Sequence, residues 1–222
     1  MIYKRQSLLY KNDLKSAADV ADFVLEGSAQ VSFNDAGMVL ENVLDESLGQ
    51  KSNFVFWCPH DFEGDIEISW KFRPIKEPGL AIMFFHALGL NGASIFSESL
   101  QKRTGEYDLY HSGDINAYHI SYFRRKWDTE RCFHTCNLRK SKGFHLVAQG
   151  ADPIPDVDDC KEFYEIKIAN KGSRVAFFID DLLIFTYDDD ASLGAVLKKG
   201  KIGFRQMAPL KAVYFDLQVY RI

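Results

Sequence analysis

The chain has 222 residues, of which 46% are hydrophobic and 14% aromatic, and its formal net charge is −4. This composition supplies a sizeable core and excludes global disorder, and the acidic balance lacks the strongly basic surface of duplex-binding proteins. No run approaches the roughly 18 apolar residues that a membrane-spanning helix needs, so we expect neither a nucleic acid nor a membrane as partner.

The four cysteines fit neither a disulfide framework nor a zinc site. Cys132 and Cys136 are separated by three residues, and no second pair completes a metal site. The N-terminal segment has no apolar run after its positive charges, so it does not read as a secretory signal. We therefore expect free thiols, no metal or other cofactor, and a cytoplasmic location. A structural calcium ion is left open.

Strand patterns dominate the chain. Short helical segments are predicted at 14–23 and 192–197, whereas period-two alternation and an Asp-rich hairpin turn at 179–181 indicate strands. The strands predicted in this way are, in chain order, 66–72, 117–125, 133–140, 174–178, 182–187, 200–204 and 213–220.

Many strands joined by short polar turns predict an all-β fold of two stacked antiparallel sheets. The segments 89–108 and 149–160 are irregular, and loops of this length usually cover a surface or carry function. No linker divides the chain, so we expect a single domain over residues 1–222.

Several segments carry a resemblance to a known family. The motifs are FVFWCP, YHSGDINAYHISYFRR, TCNLRKSKGFHL, GADPIP and GKIGFRQMAPLKAVY, and they extend from Phe54 to Tyr214. They resemble the YesU-like family of uncharacterised bacterial proteins, and the order of strand motifs resembles the concanavalin-like (or galectin-like) jelly roll. The resemblance implies a jelly-roll sandwich and a role connected with rhamnogalacturonan, an acidic pectin. It brings no catalytic residues to carry over.

The segment 110–150 concentrates residues suited to an anionic, ring-shaped ligand. It holds four of the six histidines, together with four arginines and several aromatic rings. Planar rings and forked guanidinium donors are what carboxylate recognition needs. Alternation along two predicted strands places the following residues on one shared surface: His119, Ser121, Phe123, Arg125, Thr135, Asn137 and Arg139.

Our first hypothesis is an enzyme that acts on uronate-containing, pectin-type oligosaccharides. β-Elimination needs a cation at the carboxylate, a base for the C5 proton and an acid for the leaving oxygen. The candidate base is His119 or His145, and the candidate acid is Tyr122, Tyr118 or Tyr110. Hydrolysis would instead need a carboxylate pair, for which Asp114 with Glu106 or Asp108 is the candidate. The candidate substrate-binding residues are Arg125, Asn137, Arg139, His86, His111, His134 and Trp57.

The alternative is a lectin-like module that binds the same glycans without turnover, because the same rings and arginines would suffice. A core position is the commoner interpretation for His86 and Trp57. The E-x-D-x-E pattern at 63–67 resembles the catalytic strand of laminarinase-like hydrolases, but the turn at 62–64 disfavours that role. The expected partner is an acidic oligosaccharide, and the oligomeric state is left open, with a homodimer as one alternative.

Overall fold

The computed structural model describes residues 3–222, and it consists of two antiparallel sheets packed face to face. The predicted all-β sandwich is therefore confirmed. The first sheet contains, from edge to edge, β14 (Leu182–Asp188), β13 (Arg174–Ile179), β12 (Tyr164–Lys171), β7 (Ile66–Lys76), β16 (Lys211–Arg221), β4 (Gly37–Asn42) and β3 (Ala29–Asn34), with β1 (Ser7–Asn12) also pairing with β16.

The second sheet carries the segment that the sequence singled out. It contains, in order, β11 (His145–Ala151), β10 (Thr135–Lys140), β9 (Ile115–Tyr122), β8 (Leu80–Gly89), β15 (Lys199–Met207), β5 (Phe54–Trp57) and β2 (Val24–Gly27), with β6 (Phe62–Glu63) also pairing with β15. The predicted adjacency of the strands around 117–125 and 133–140 is confirmed, because β9 and β10 are hydrogen-bonded neighbours.

Helices are short and few in the described part of the chain. Two 3-10 helices span Ala17–Val20 and Glu46–Ser52, and two α-helices, α1 and α2, span Asp108–His111 and Asp128–Cys132. The helix predicted at 192–197 is wrong, since this segment forms turns held against the second sheet. Lys140 donates to the carbonyl of Gly194 at 2.6 Å, which fixes the turns where a short helical segment was predicted.

The main core lies between the two sheets, and its residues follow from strand alternation. Trp70 and Phe72 point inwards from β7, and they meet Tyr118, Ile120 and Tyr122 from β9. All five side chains are buried. Burying alternate large apolar side chains from both sheets provides the main driving force for this packing.

A second apolar cluster lies on the outer face of the second sheet. Trp57, Ile82 and Phe84 point outwards from their strands and pack against Ile95 and Tyr110. The latter two belong to the segment after β8, which runs over residues 90–111 and is called here the covering segment. This segment therefore closes part of the outer face, and a site can form beside it.

Candidate functional site

A cavity of about 290 Å³ opens on the outer face of the second sheet, beside the covering segment. Its floor comes from four neighbouring strands and contains Leu80, Ile82, Ser121, Asn137, Arg139 and Met207. Its walls come from loops, from α2 and from the 3-10 helix Glu46–Ser52, and they contain Gln50, Tyr107, Arg124, Trp127, Thr129, Glu130 and Phe144.

Strand register explains why the floor is polar on one side. Ser121 of β9 pairs with Asn137 of β10, and His119 pairs with Arg139. Residues two apart on a strand share a face, so these four side chains belong to one surface. The prediction that they share the outer face of adjacent strands is confirmed.

The predicted alternation ends one residue after Tyr122. Phe123 has a φ of +46°, which turns the chain, and its ring enters the main core. Arg124 consequently lines the pocket, whereas the prediction had placed Arg125 on that face. Arg125 is fully buried instead, and it bonds Asp156 at 2.8 Å and the carbonyl of Ile154 at 2.7 Å. The ligand-facing position predicted for Arg125 is therefore wrong. The left-handed conformation of Phe123 interrupts the alternation, so the side chains that follow it point to the opposite faces from those predicted.

Arg124 is held rigidly at the wall of the pocket. Its guanidinium donates to Thr135 Oγ1 and to Glu130 Oε1, each at 2.6 Å. The second carboxylate oxygen of Glu130 accepts from the backbone amides of Lys126 and Trp127, each at 3.1 Å. Glu130 thus anchors α2, and the indole of Trp127 is left 54% exposed beside the cavity.

Arg139 is the arginine of the floor. Its guanidinium donates to the carbonyl of Phe144 at 2.9 Å and lies 3.6 Å from the centroid of the same ring. Burial lowers the pKa of Arg139, and the nearby charge of Arg124 acts in the same direction. Arginine remains charged at any physiological pH, so the stacked guanidinium contributes positive charge to the cavity.

His119 occupies the predicted face, but it is covered. The hydroxyl of Tyr107 lies 2.7 Å from Nδ1 of His119, and Oγ of Ser141 lies 3.1 Å from Nε2. The imidazole also stacks on Phe84, with ring centroids 5.1 Å apart. Burial holds the pKa of His119 well below its usual value, so the ring is neutral. The predicted open position of His119 is thus wrong, and Tyr107 faces the cavity in its place.

Arg205 lies beneath Tyr107, where sequence reasoning did not look. Its guanidinium is fully buried, 4.8 Å from the centroid of the Tyr107 ring, and bonds Gln50 Oε1 at 3.1 Å. Neither Arg139 nor Arg205 forms an ion pair with a carboxylate among residues 3–222. The available signal in the sequence was an arginine within the strand motif Gly-x-Ile-Gly-Phe-Arg, since arginine is rarely buried without a partner.

Three of the other predicted residues lie in packed interiors. Tyr122 sits in the main core and accepts from Trp70 Nε1 at 3.1 Å. Trp57 is fully buried and donates to Glu26 at 2.9 Å. His86 bonds Asn170 of the opposite sheet at 2.9 Å, and burial lowers its pKa to about 4. The core interpretation of His86 and Trp57 is the correct one, and Tyr122 cannot reach the cavity.

The remaining predicted residues are not part of the cavity lining. The ring of His111 packs against Phe144, with centroids 4.6 Å apart, and burial lowers its pKa. His145 is exposed at the start of β11, and His134 lies 3.6 Å from Asp156. Asp114 accepts from the backbone of Gln101 at 2.6 Å and so ties down the covering segment. Of the predicted set, Asn137 and Arg139 line the cavity directly.

The described residues contain no group of three or more His, Cys, Asp or Glu side chains arranged to hold a metal ion. Between residues 3 and 222, no helix has the length and apolar character required to cross a bilayer.

These features define a galectin-like sandwich with a cationic, aromatic pocket on the outer face of one sheet. Residues 7–219 match the family described as "Domain of unknown function (DUF1961)", and the chain belongs to this family. It is 52% identical over 221 residues to the "Uncharacterized protein YesU" of Bacillus subtilis (strain 168), covering 99% of this chain and 98% of that protein. The resemblance to the YesU-like family is therefore confirmed.

Solved structures agree with the fold. A crystal structure of a protein of unknown function with a galectin-like fold from Bacillus subtilis superposes with a TM-score of 0.95 at 52% identity, covering 99% of this chain and 98% of the other. The carbohydrate binding module CBM66 from Bacillus subtilis superposes with a TM-score of 0.56 at 14% identity, covering 89% and 94% of the two chains. The second likeness concerns the fold alone.

Proposed function

We propose that this protein binds acidic, uronate-containing oligosaccharides in the pocket on the outer face of its second sheet. The observation that carries the proposal is the charge of the site. The guanidiniums of Arg124 and Arg139 line the cavity, that of Arg205 is buried behind Tyr107, and Glu130 is the single carboxylate in the lining. Such an excess of positive charge favours an anionic ligand.

The shape of the site supports a sugar ring as the body of that ligand. Trp127 and Phe144 stand at the walls with about half of each side chain exposed. Exposed aromatic rings beside polar groups provide apolar faces on which the CH side of a sugar can pack. Asn137 and Ser121 offer hydrogen-bonding groups for hydroxyls between these walls. The likeness to a carbohydrate binding module is consistent with this use of the fold.

Calorimetry with rhamnogalacturonan oligosaccharides tests the proposal. We expect binding to weaken about tenfold or more when the uronate carboxylates are reduced to alcohols, because a charge-assisted hydrogen bond contributes about 1.5–3 kcal/mol. Arg139→Gln should weaken binding of the acidic oligosaccharide by a similar factor. Arg174→Gln is the matched control, since Arg174 forms an exposed ion pair with Asp188 on the other sheet.

Two results would contradict the proposal. One is equal affinity for the acidic and the carboxyl-reduced oligosaccharide. The other is an equal effect of Arg139→Gln and Arg174→Gln, because only the first of these residues lines the cavity.

Of the two reactions considered, the pocket favours β-elimination as a second candidate function beside binding. Hydrolysis needs two carboxyl groups flanking one bond, but Glu130 is engaged by Arg124 and two backbone amides. Asp114 is engaged in the covering segment. β-Elimination needs a cation for the uronate and a proton-transferring group, and Arg139 and Tyr107 are suitable residues in the cavity.

Two expectations from the sequence remain part of the proposal. We propose pectin-derived rhamnogalacturonan fragments as the source of the uronate, because the motifs between Phe54 and Tyr214 resemble a family with that association. A cytoplasmic location is also proposed, and cell fractionation tests it.

A further inference from the structure

We infer that Tyr107 is the catalytic acid and base of this pocket, that His119, held by Ser141, carries its proton during the reaction, and that the reaction is β-elimination from a uronate. The inference rests on the proposed function, since it requires a uronate held in the cavity. It assigns chemistry to Tyr107, a residue of the covering segment, rather than to the histidine alone.

A continuous hydrogen-bonded chain leads away from the cavity. Tyr107 lines the cavity, its hydroxyl lies 2.7 Å from Nδ1 of His119, and Nε2 of His119 lies 3.1 Å from Oγ of Ser141. His119 and Ser141 are each 1% exposed, so neither can touch a ligand. When Nε2 carries the ring proton and donates to Ser141, Nδ1 is free to accept from Tyr107. In this tautomer the proton of Tyr107 points at Nδ1 of His119.

The charges around the chain suit a transient phenolate. Burial raises the pKa of Tyr107 to about 12, while the guanidiniums of Arg205, Arg139 and Arg124 act in the opposite direction. At rest the hydroxyl therefore keeps its proton. Fixed positive charges near the oxygen stabilise negative charge that develops during reaction, and they do so without reorganisation.

His119 is positioned to exchange a proton with Tyr107, because its Nδ1 lies 2.7 Å from the phenol oxygen. The titratable and charged groups that face it are Tyr107, His111, Arg139 and Arg205. Burial, followed by the charges of His111 and the two arginines, lowers the pKa of His119 well below its usual value. The neutral ring is thus available as an acceptor, and the imidazolium that forms returns its proton readily.

The proton and electron balance closes within the site. The oxygen of Tyr107 takes the C5 proton of the uronate while its own proton moves to Nδ1 of His119. The C5–H electron pair becomes the C4–C5 double bond, and the C4–O4 bond breaks with its electrons on O4. Tyr107 then donates a proton to O4 and recovers one from His119. The net change moves the C5 proton to O4, so no oxidant, reductant or co-reactant is needed.

Turnover of rhamnogalacturonan oligosaccharides, followed by the ultraviolet absorbance of the unsaturated product, tests the inference. Tyr107→Phe should lower kcat about 10²–10⁴-fold, the usual contribution of a positioned acid or base. The affinity for the oligosaccharide, measured by calorimetry, should stay unchanged. Tyr220→Phe is the matched control, because Tyr220 is a half-buried tyrosine of the other sheet that bonds Gln218.

His119→Gln tests the relay, because a purely structural role would not separate kcat from affinity. We expect kcat to fall while the affinity for the oligosaccharide stays. A second test uses the wild-type protein and so does not depend on the folding of a variant. Substrate carrying deuterium at C5 should turn over more slowly than the protonated substrate.

The outcomes separate the two proposals. Wild-type protein that binds the oligosaccharide without forming unsaturated product overturns the inference and leaves the proposed function standing. Undiminished kcat in folded Tyr107→Phe, or absence of a C5 isotope effect together with unchanged kcat in His119→Gln, also overturns it. Absence of binding by the wild-type protein overturns both.

Discussion

Two neighbouring arginines, Arg124 and Arg125, should respond in opposite ways to loss of charge. Arg125 is fully buried in the loop after β9, and its guanidinium contacts the carboxylates of Asp152 at 3.4 Å and Asp156 at 2.8 Å. It also donates to the carbonyl of Ile154 at 2.7 Å and stacks on Phe123 at 4.8 Å. Arg125 thus attaches the segment after β11 to the sheet.

The loss of stability expected for Arg125→Met follows from the buried carboxylate of Asp152, which the substitution leaves without its partner. Asp152 has a fully buried side chain, and burial already raises its pKa despite the opposing charge of Arg125. Removing one partner of a buried ion pair costs about 3–5 kcal/mol. At roughly 2–4 °C per kcal/mol for a chain of this size, Tm should fall by about 6–20 °C.

The loss of stability should also depend on pH, and the protonation of Asp152 decides in which direction. Without Arg125 the pKa of Asp152 in the folded protein should rise further above that of the unfolded carboxyl. The folded state then holds a proton that the unfolded state has released, so stability decreases as pH rises through this interval. We therefore expect a smaller defect of Arg125→Met at pH 5 than at pH 8.

Thermal unfolding together with calorimetric titration of rhamnogalacturonan oligosaccharides measures both effects. Arg124→Gln is the comparison, because Arg124 lines the cavity and is partly exposed. It should weaken ligand binding with a smaller fall in Tm, since Glu130 keeps two backbone amide donors, whereas Arg125→Met should lower Tm more and leave the affinity of the folded protein intact. The reverse pattern would refute the exchange of faces at Phe123.

Two further predictions concern titrating groups in the interior. Because the pKa of His86 in the folded protein is about 4, against 6.5 ordinarily, the unfolded state takes up this proton first as pH falls. The contribution of this shift to the free energy of unfolding is complete above pH 6.5 and lost towards pH 4, and it amounts to about 3 kcal/mol. Urea unfolding at several pH values should show a steeper dependence of the free energy of unfolding on pH for the wild type than for His86→Gln, and the same pH dependence in both would contradict the prediction. Among the unpaired cysteines, Cys132 is exposed, whereas burial raises the pKa of Cys58 to about 11. A thiol reagent should thus modify one cysteine rapidly in the native protein and four after denaturation, and several rapid native reactions would show that the buried sites are open.

Local patterns predicted much of the fold because strand pairing repeats every two residues. The alternation at 66–72 became β7, with Trp70 and Phe72 in the core. The same rule placed Ser121, Asn137 and Arg139 on one outer surface. The segment rich in histidine and arginine contains two of the four strands that form the floor of the cavity.

The rest of the site depended on contacts between residues far apart in the chain. A single left-handed residue, Phe123, decided that Arg124 rather than Arg125 reaches the cavity, and nothing in a period-two pattern predicts where alternation ends. Tyr107 and Arg205 meet because the covering segment folds back over β15. The sequence by itself determined the sandwich and the polar face, whereas only the tertiary structure decided which rings and guanidiniums share one pocket, since that depends on where the loops pack.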